Sequence, residues 1–425
     1  MLPKSFSQYS LEDRLRYLSE KTGLSLLEIN TALRAPAQNQ DLAEALIEAP
    51  IGYFSLPLGL LKSLTVNGKT YCVPLVTEET SVVAALNKMA AWVGRSGHIK
   101  AETKGQTIIG QIQFATLKEP DAFQKHVEAC SQQWINLANQ GPAATLFKRG
   151  GGVTRIETRL IPRRKDSGIM GVLHVYLNPC EAMGANQVTQ VCEFLKPPIE
   201  KQTNEMVNLC ILSNLTHSKL TTSTLTLENI DLELGEKIEE ASYFALCDPY
   251  RAVTHNKGIM NGIDGLVIAT GNDWRAVEAG LHGYAATKDK ASSYGPLATW
   301  HMKGRDLVGT FEAPLAIGSV GGATRQHPTA QFALKCLGGP SANELAQLMA
   351  SVGLVQNLGA LRALVSGGII QGHMRLHIKN MTYSLKATPA QRFLVQKALL
   401  QKLNSQKHIS ESDAQEALEE IAKVA

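Results

Sequence analysis

The chain has 425 residues, 44% of them hydrophobic and 19% charged, with a net charge of +4. The length allows roughly two or three domains around a large core; the composition excludes a disordered chain, and the near-neutral charge excludes a dedicated nucleic-acid binder. Seven cysteines, an odd number with no CxxC pair, fit reduced thiols in the cytoplasm better than a disulfide framework or a zinc site.

Along the chain, Glu12, Asp13 and Glu20 interrupt the first apolar positions, which leaves no signal-peptide core. Ser10-x-x-Asp13 and Ser25-x-x-Glu28 are capping-box signatures that lead into leucines at helical spacing, so two short helices open the chain. Residues 54–76 read as extended pieces broken by a hairpin turn at Asn67-Gly68, and a small-residue helix over 81–93 follows. The pattern then changes to strand 107–114, helix 121–139, strands 153–161 and 169–177, helix 185–195 and strand 206–212. That βαββαβ order is the ferredoxin-like unit, and it interrupts a helix-rich chain, as an inserted domain does. Residues 236–362 are rich in Gly, Ala and Asn, with helical runs at 274–285 and 343–351. Gly367-Gly368 and Gly372 make a hinge, Thr388-Pro389 starts a helix, and Ser412 opens the last one. The most apolar stretches, 355–364 and 266–270, fall short of the ~20 residues of a membrane span. The expected fold class is α+β: a helix-rich large domain (1–106 and 216–371), an inserted ferredoxin-like domain (107–215) and a small C-terminal helical appendage (372–425).

Several clusters have chemistry to offer, each with a plainer reading beside it. Gly150-Gly151-Gly152 stands among Lys148, Arg149, Arg155 and Arg159, with Arg163, Arg164 and Lys165 beyond. Glu181-Ala-Met183-Gly184-Ala-Asn186 joins a strand to a helix N-terminus, where a glycine and free N–H groups suit a pyrophosphate. Neither is a GxGxxG fingerprint, and on spacing alone turn glycines with solvated arginines are the better explanation. The run Asp248-Pro-Tyr-Arg251-Ala-Val-Thr-His255-Asn256-Lys257-Gly-Ile-Met-Asn261, ending at Gly271-Asn272-Asp273, sets a lysine and aspartates in a small-residue frame. Such a lysine stabilises a developing oxyanion, or simply forms an ion pair in a capping loop. Glu78-Glu79 either caps the helix after it or supplies a carboxyl whose raised pKa makes it an acid. His373 and His377 have the i, i+4 spacing of a metal pair but no acid between them and no third ligand near, so no metal is expected; one of them suits acid chemistry better. Between Glu344 and Glu411 the chain has no acidic residue, a basic stretch suited to a polyanionic ligand or merely to solvent.

Together these runs resemble the class II, soluble bacterial-type 3-hydroxy-3-methylglutaryl-CoA (HMG-CoA) reductases over nearly the whole chain. The marks are 48–52 (Glu-Ala-Pro-Ile-Gly), Pro74 to Ser81, Glu181 to Asn186, Ile211 to Asn214, Asp248 to Asn261, Gly271 to Glu278, Gly321 to Thr324, Gln356 to Gly359 and Gly372-His373-Met374. The runs around Lys257 and Asp273 are the most specific. The resemblance implies reduction of HMG-CoA to mevalonate and CoA by two hydride transfers, through bound mevaldehyde. It puts Glu79, Lys257, Asp273 and His373 at the catalytic positions, and Ser81, Asn214, Arg251, Asn261 and Gln356 at the acyl-binding ones. Lys257 stabilises the oxyanion, Asp273 tunes the lysine, Glu79 donates a proton toward the aldehyde, and His373 protonates the CoA thiolate. The inserted domain is then the cofactor-binding one, with Gly150, Gly151, Arg155, Met183, Gly184 and Asn186 as candidate contacts. The C-terminal appendage is a flap that closes over the site, and active sites are shared in a homodimer or higher even oligomer; no nucleic acid or membrane is implied as partner.

The sequence departs from the family pattern at Thr80 (usually Pro), Ala49-Pro50 (Asn-Val) and Glu181 (Asp). None touches a catalytic type, but they leave cofactor choice open. Residues 137–144 approaching the triple glycine hold no acid to repel a 2′-phosphate, and Arg149, Arg155, Arg159 and Arg163 suit one. NADPH is therefore expected over NADH, in the biosynthetic direction. The competing readings are an NAD-linked enzyme that oxidises mevalonate and a non-catalytic CoA- or nucleotide-binding module. An RNA-binding ferredoxin-like unit is disfavoured, because the strands offer Phe114 and Tyr176 without an RNP-like aromatic pattern.

Overall fold

A computed structural model describes residues 6, 9–34, 39–288, 294–366, 378, 380–406 and 409–424. Both N-terminal capping boxes form: Ser10 Oγ accepts the Asp13 N–H at 3.1 Å, Ser25 Oγ accepts that of Glu28 at 3.2 Å, and the Glu28 carboxylate accepts the Ser25 N–H at 2.9 Å. They start α1 (Leu11–Thr22) and α2 (Leu26–Arg34), and α3 (Gln40–Leu46) follows. Strands β1 (Leu58–Val66) and β2 (Lys69–Val76) are an antiparallel hairpin. Asn67 and Gly68 turn it with φ of 52° and 78°, the left-handed pair that a two-residue turn matching the strand twist requires.

After α4 (Val82–Ser96) the chain enters β3 (Gly97–Lys104). With β8 (Leu220–Leu227), β9 (Ala298–Lys303) and β10 (Asp306–Pro314) it forms an antiparallel sheet ordered β3-β8-β10-β9. The helix-rich reading of this region missed that sheet. In β8 (LTTSTLTL) every second residue is buried, yet the inward set includes Thr221 and Ser223, so polar composition hides the period of two. Helices α8 (Leu232–Cys247), α9 (Pro249–Ala269) and α13 (Ala342–Ser366) build the rest of the core with α4. By length and composition α13 is long and apolar enough to cross a membrane, but 72% of its most apolar window is buried inside the protein. It is the central core helix, longer than the apolar runs picked from sequence. On the flank lie α10 (Trp274–Thr287), α11 (Gly322–Gln326) and α12 (Pro328–Cys336).

Between β3 and β8 the chain runs β4 (Ile108–Phe114), α5 (Pro120–Gln140), α6 (Ala144–Lys148), β5 (Gly152–Pro162), β6 (Ile169–Asn178), α7 (Ala185–Thr203) and β7 (Val207–Ser213). Its sheet is ordered β5-β6-β4-β7 and antiparallel throughout, the ferredoxin-like topology expected from the sequence. Phe114, Trp134, Leu173 and Leu195 centre a core of its own, separate from that of the body. Gly110 lets α7 lie close on β4, since a Cβ there would meet Cys192 Sγ at 2.5 Å. The sequence ended α7 at Leu195; the structure carries it through Pro197 and Pro198, buries Ile199, and closes it at left-handed Asn204. Prolines remove helix donors and crowd the preceding turn, and burial of Ile199 one turn on offsets part of that cost.

At the C-terminus Thr388 Oγ1 accepts the Gln391 N–H at 3.3 Å and caps α14 (Pro389–Gln406). The last helix, α15 (Glu411–Val424), is capped by Ser410 rather than Ser412. Asp413 accepts the Ser410 N–H at 2.7 Å and also pairs with Lys402, which fixes the earlier start. Val395, Leu399, Ile409 and Ala414 make a small third core. The one-sided basic stretch is partly answered inside the protein, with Arg362 over Trp92 and Arg392 over Tyr383. The expected hinge at Gly367, Gly368 and Gly372 lies outside the described residues, as do His373 and His377.

Candidate active site

The site forms where the end of β2 meets α9. Asp248 caps α9 by accepting the Arg251 N–H at 3.0 Å, with Pro249 in the first turn. Two glycines then let the helix approach its neighbours. A Cβ on Gly265 would lie 3.2 Å from Leu75 Cδ2 and from the Val76 carbonyl, and one on Gly262 would lie 3.1 Å from the Val352 carbonyl and Gln356 Cβ. Beyond β2, Thr77 Oγ1 accepts the Glu79 N–H at 3.2 Å, and Ser81 begins α4 from a left-handed φ of 81° with no side-chain cap bond. Glu79 therefore does not cap the helix. Its Oε2 accepts from Lys257 Nζ at 2.8 Å, and the two side chains keep 37% and 61% of their exposure, open enough for a ligand to reach them.

The remaining expected residues lie on or against helices α9, α10 and α13. Arg251 is half-buried, and burial holds its guanidinium below the usual arginine range, though it stays a cation. Gln356 is buried on α13, and its Oε1 has no hydrogen-bond partner among the described residues. An orphaned buried acceptor is costly and marks a place for a ligand donor. Asn261 is half-buried one turn beyond Lys257 on α9, and Asn214 is half-buried in the return from β7 to β8. The Asn214 carbonyl would lie 2.8 Å from a Cβ on Gly280 of α10. Asp273 behaves differently from its expected contact with the lysine. Its Oδ1 accepts the N–H groups of Arg275 at 3.1 Å and Ala276 at 3.2 Å and caps α10, with Arg275 Nε at 3.5 Å. His255 is structural: it bonds the Ala298 carbonyl at 3.0 Å, and burial pushes its imidazole down to about 4.

Two buried charged features had no motif to announce them. On α9 the Asp264 carboxyl is hydrogen-bonded to Glu278, and burial, that bond and the Glu278 charge together push it up to about 8. Lys219 is buried ahead of β8, where burial lowers its pKa against the opposing pull of Glu181. In sequence an aspartate three residues past Asn261 and a lysine in a Ser-Lys turn carry no distinguishing signal.

Arg149, just ahead of the triple glycine, and Glu181 and Ala182, at the start of the second motif, line a cavity of about 860 Å³ between the ferredoxin-like layer and the body. Leu146, Arg149, Cys180 and Glu181 line one side, and Arg325 and Lys335 the other. Gly150 and Gly152 turn the chain there with φ of 85° and 95°. A Cβ on Gly151 would strike the Asn178 carbonyl at 2.5 Å, so the turn sits hard against β6. Gly184 opens α7 from φ 91° without a side-chain cap, leaving its first N–H groups free of one, and Asn186 is exposed in that first turn. A Cβ on Gly318 would lie 2.6 Å from Met183 N, so the body's backbone presses on this segment. Arg155, expected here, instead pairs with Glu157 at 2.9 Å and stacks 3.9 Å from the Tyr176 ring. No group of three His, Cys, Asp or Glu that could hold a metal occurs among the described residues.

Comparison with known proteins gives one consistent result. Residues 10–378 match the family model described as hydroxymethylglutaryl-coenzyme A reductase. The 3-hydroxy-3-methylglutaryl-coenzyme A reductase of Archaeoglobus fulgidus is 42% identical over 388 residues, covering 90% of this chain and 87% of that protein. A probable reductase of the same name from Borreliella burgdorferi is 36% identical, over 82% of this chain and 80% of its own. The class II reductase of Streptococcus pneumoniae, solved bound to NADPH in open conformations, is 37% identical with a TM-score of 0.80, covering 85% of this chain and 99% of that one. A further structure of the Streptococcus pneumoniae reductase covers 98% of this chain at a TM-score of 0.81 and 35% identity.

Proposed function

The chain belongs to the hydroxymethylglutaryl-coenzyme A reductase family, an NAD(P)-dependent oxidoreductase, and from that premise we propose which of its residues carry the reduction of HMG-CoA to mevalonate, and with which cofactor. The observation that carries the reading is the Lys257–Glu79 contact of 2.8 Å. An ammonium held beside a carboxyl can meet the thioester oxygen as negative charge develops on it, and a group already in place needs little reorganisation. Glu79, in contact with the same lysine, is placed to pass a proton toward the aldehyde oxygen. Asp273 acts on the lysine through its field from the start of α10, since its Oδ1 is bound to backbone N–H groups. His373 protonates the departing thiolate, a task for a group that titrates near neutrality.

Arg251 holds the substrate's free carboxylate, where a half-buried guanidinium makes strong charge-assisted bonds. Gln356 Oε1, buried without a partner among the described residues, accepts from a substrate hydroxyl, while Ser81, Asn214 and Asn261 complete the acyl pocket.

The cavity beside α7 suits a dinucleotide: its volume is within the range of ligand sites, and an uncapped helix start behind a glycine offers N–H groups to a pyrophosphate. NADPH, when bound, supplies the hydride in each of the two reductions. Met183, Gly184 and Asn186 hold it from α7, and Gly150 and Gly151 from the opposite turn. The reading extends to a homodimer. Tyr243, Phe244, Tyr250 and Val253 leave a large apolar face exposed on α8 and α9, with Trp274 on α10, and such faces are normally covered. The Lys257 helix carries part of that face, which fits active sites completed by a second copy. Seven free thiols fit the reducing cytoplasm. The test is absorbance at 340 nm during HMG-CoA reduction, with NADPH and NADH titrated separately. Two cofactors oxidised per CoA released, with NADPH favoured, is the expected result. Better efficiency with NADH overturns the cofactor and direction, and no turnover with either overturns the substrate.

A further inference from the structure

Of the arginines nearest the triple glycine, Arg155, Arg159 and Arg163 have side-chain partners, and Arg149 alone lines the cavity. Arg155 is paired with Glu157 and stacked on Tyr176. Arg159 contacts His174 Nε2 at 3.2 Å, and Arg163 is tied to the Ala115 carbonyl at 2.6 Å and to Asp166 at 2.9 Å. Arg149 ends α6, just before the strand begins, and its side chain is exposed on the cavity wall. Its backbone is held firmly: its N–H bonds the Leu146 carbonyl at 2.9 Å, and the next N–H but one bonds the same carbonyl at 2.9 Å.

Glu181 is the single acid on that wall, and it is already engaged. Its Oε2 accepts from Ser319 Oγ at 2.9 Å and from the Ala342 N–H at 2.6 Å, with the Lys219 charge nearby. The cavity is thus lined by three cations, Arg149 on one side and Arg325 and Lys335 on the other, with little opposing charge. A pyrophosphate can be served by backbone N–H groups at Gly184 and by the open, positive-φ backbone at Gly321 and Gly322, where a Cβ would meet nothing within 4 Å. A ribose phosphate is a separate dianion, and a guanidinium fork is the group suited to it.

We propose that Arg149 is the specificity-determining residue that recognises the ribose 2′-phosphate of the cofactor, while Arg325 and Lys335 hold phosphate charge common to NADPH and NADH. The assignment rests on the cavity being the dinucleotide site, so its test includes binding without turnover. Wild type, Arg149→Ala and Arg149→Lys are compared for KM with NADPH and with NADH. Calorimetry on the same proteins compares 2′,5′-ADP, which carries the 2′-phosphate, with 5′-AMP, which lacks it.

In Arg149→Ala the NADPH KM and the 2′,5′-ADP Kd should rise about tenfold or more, the scale of one charge-assisted contact. The NADH KM and 5′-AMP Kd should move less than about twofold, and lysine should restore part of the loss. Equal changes for both cofactors, or none for either, overturn the assignment, and so does a larger NADPH-specific loss in Arg155→Ala. Failure of HMG-CoA reduction with 2′,5′-ADP binding intact would instead refute the substrate reading and leave Arg149 standing.

Discussion

Replacing Asp264 by asparagine should stabilise the protein above neutral pH and leave it nearly unchanged in acid. One Asp264 oxygen is buried without a partner, and the carboxyl is hydrogen-bonded to Glu278. Glu278 holds His282 Nε2 at 2.7 Å, His282 Nδ1 meets Tyr294 Oη at 2.7 Å, and that hydroxyl reaches Asn256 Nδ2 at 3.0 Å. Glu278 is the titratable group that acts on Asp264, and burial is the largest cause of its pKa of about 8. An unfolded aspartate titrates near ~3.9. Between those values the folded chain keeps a proton that the unfolded chain has released. The stability that the protonated carboxyl contributes is fully present below the unfolded value, declines by up to about 1.4 kcal/mol per pH unit, and is gone above about 8. Asparagine keeps a donor for Glu278 and has no proton to lose. From pH 5 to 7 the variant should gain up to about 3 kcal/mol on the wild type, less where solvent reaches the pair. Urea unfolding followed by circular dichroism at pH 5, 6, 7 and 8 measures this directly. Parallel stability–pH curves for the two proteins would refute the neutral, hydrogen-bonded carboxyl.

At the proposed active site, Lys257→Ala should lower kcat by about 10³ or more without unfolding the chain, because the lysine side chain keeps 61% of its exposure; a folded variant with near-normal turnover removes the lysine from the mechanism. His373→Gln should harm HMG-CoA reduction far more than reduction of free mevaldehyde, which has no thiolate to protonate, and equal losses on the two substrates contradict that role. Tyr250→Glu places a charge on a side chain that is 87% exposed in the lone chain. Sedimentation should then show a dimer weakened by about tenfold or more, whereas unchanged association excludes this face as the interface.

What the sequence disclosed of the fold was what is local. A capping box is four residues long, and Ser25 with Glu28 forms its reciprocal bonds as the spacing requires. Asn67-Gly68 is equally self-contained, and the ferredoxin-like unit was readable because each of its strands and helices has its own period. The body's sheet was not. Its strands β3 and β8 are paired over their full length, Gly97 with Leu227 through Lys104 with Leu220, yet the whole inserted layer lies between them in sequence. Their inward threonines and serines resemble loop composition until the partner strand is known. The repeated Thr-x-Thr alternation in β8 was the signal available.

At the candidate site, motifs supply residue types, while packing decides what each can do. Glu79 and Lys257 were both expected, but only the approach of α9 to β2 through Gly265 makes them partners at 2.8 Å. Asp273, from the same motif run, is drawn to the backbone of α10 instead. The arginines after the triple glycine follow the same logic. Strand register sets Arg155 opposite Tyr176 and Glu157 opposite His174, so the guanidinium groups carried by β5 find partners within their own sheet. Arg149 precedes the strand, escapes that register and lines the cleft. Arg155 and Arg159 are thus held within the sheet and Arg163 by the turn after it, whereas Arg149, ahead of the strand, has no side-chain partner among the described residues.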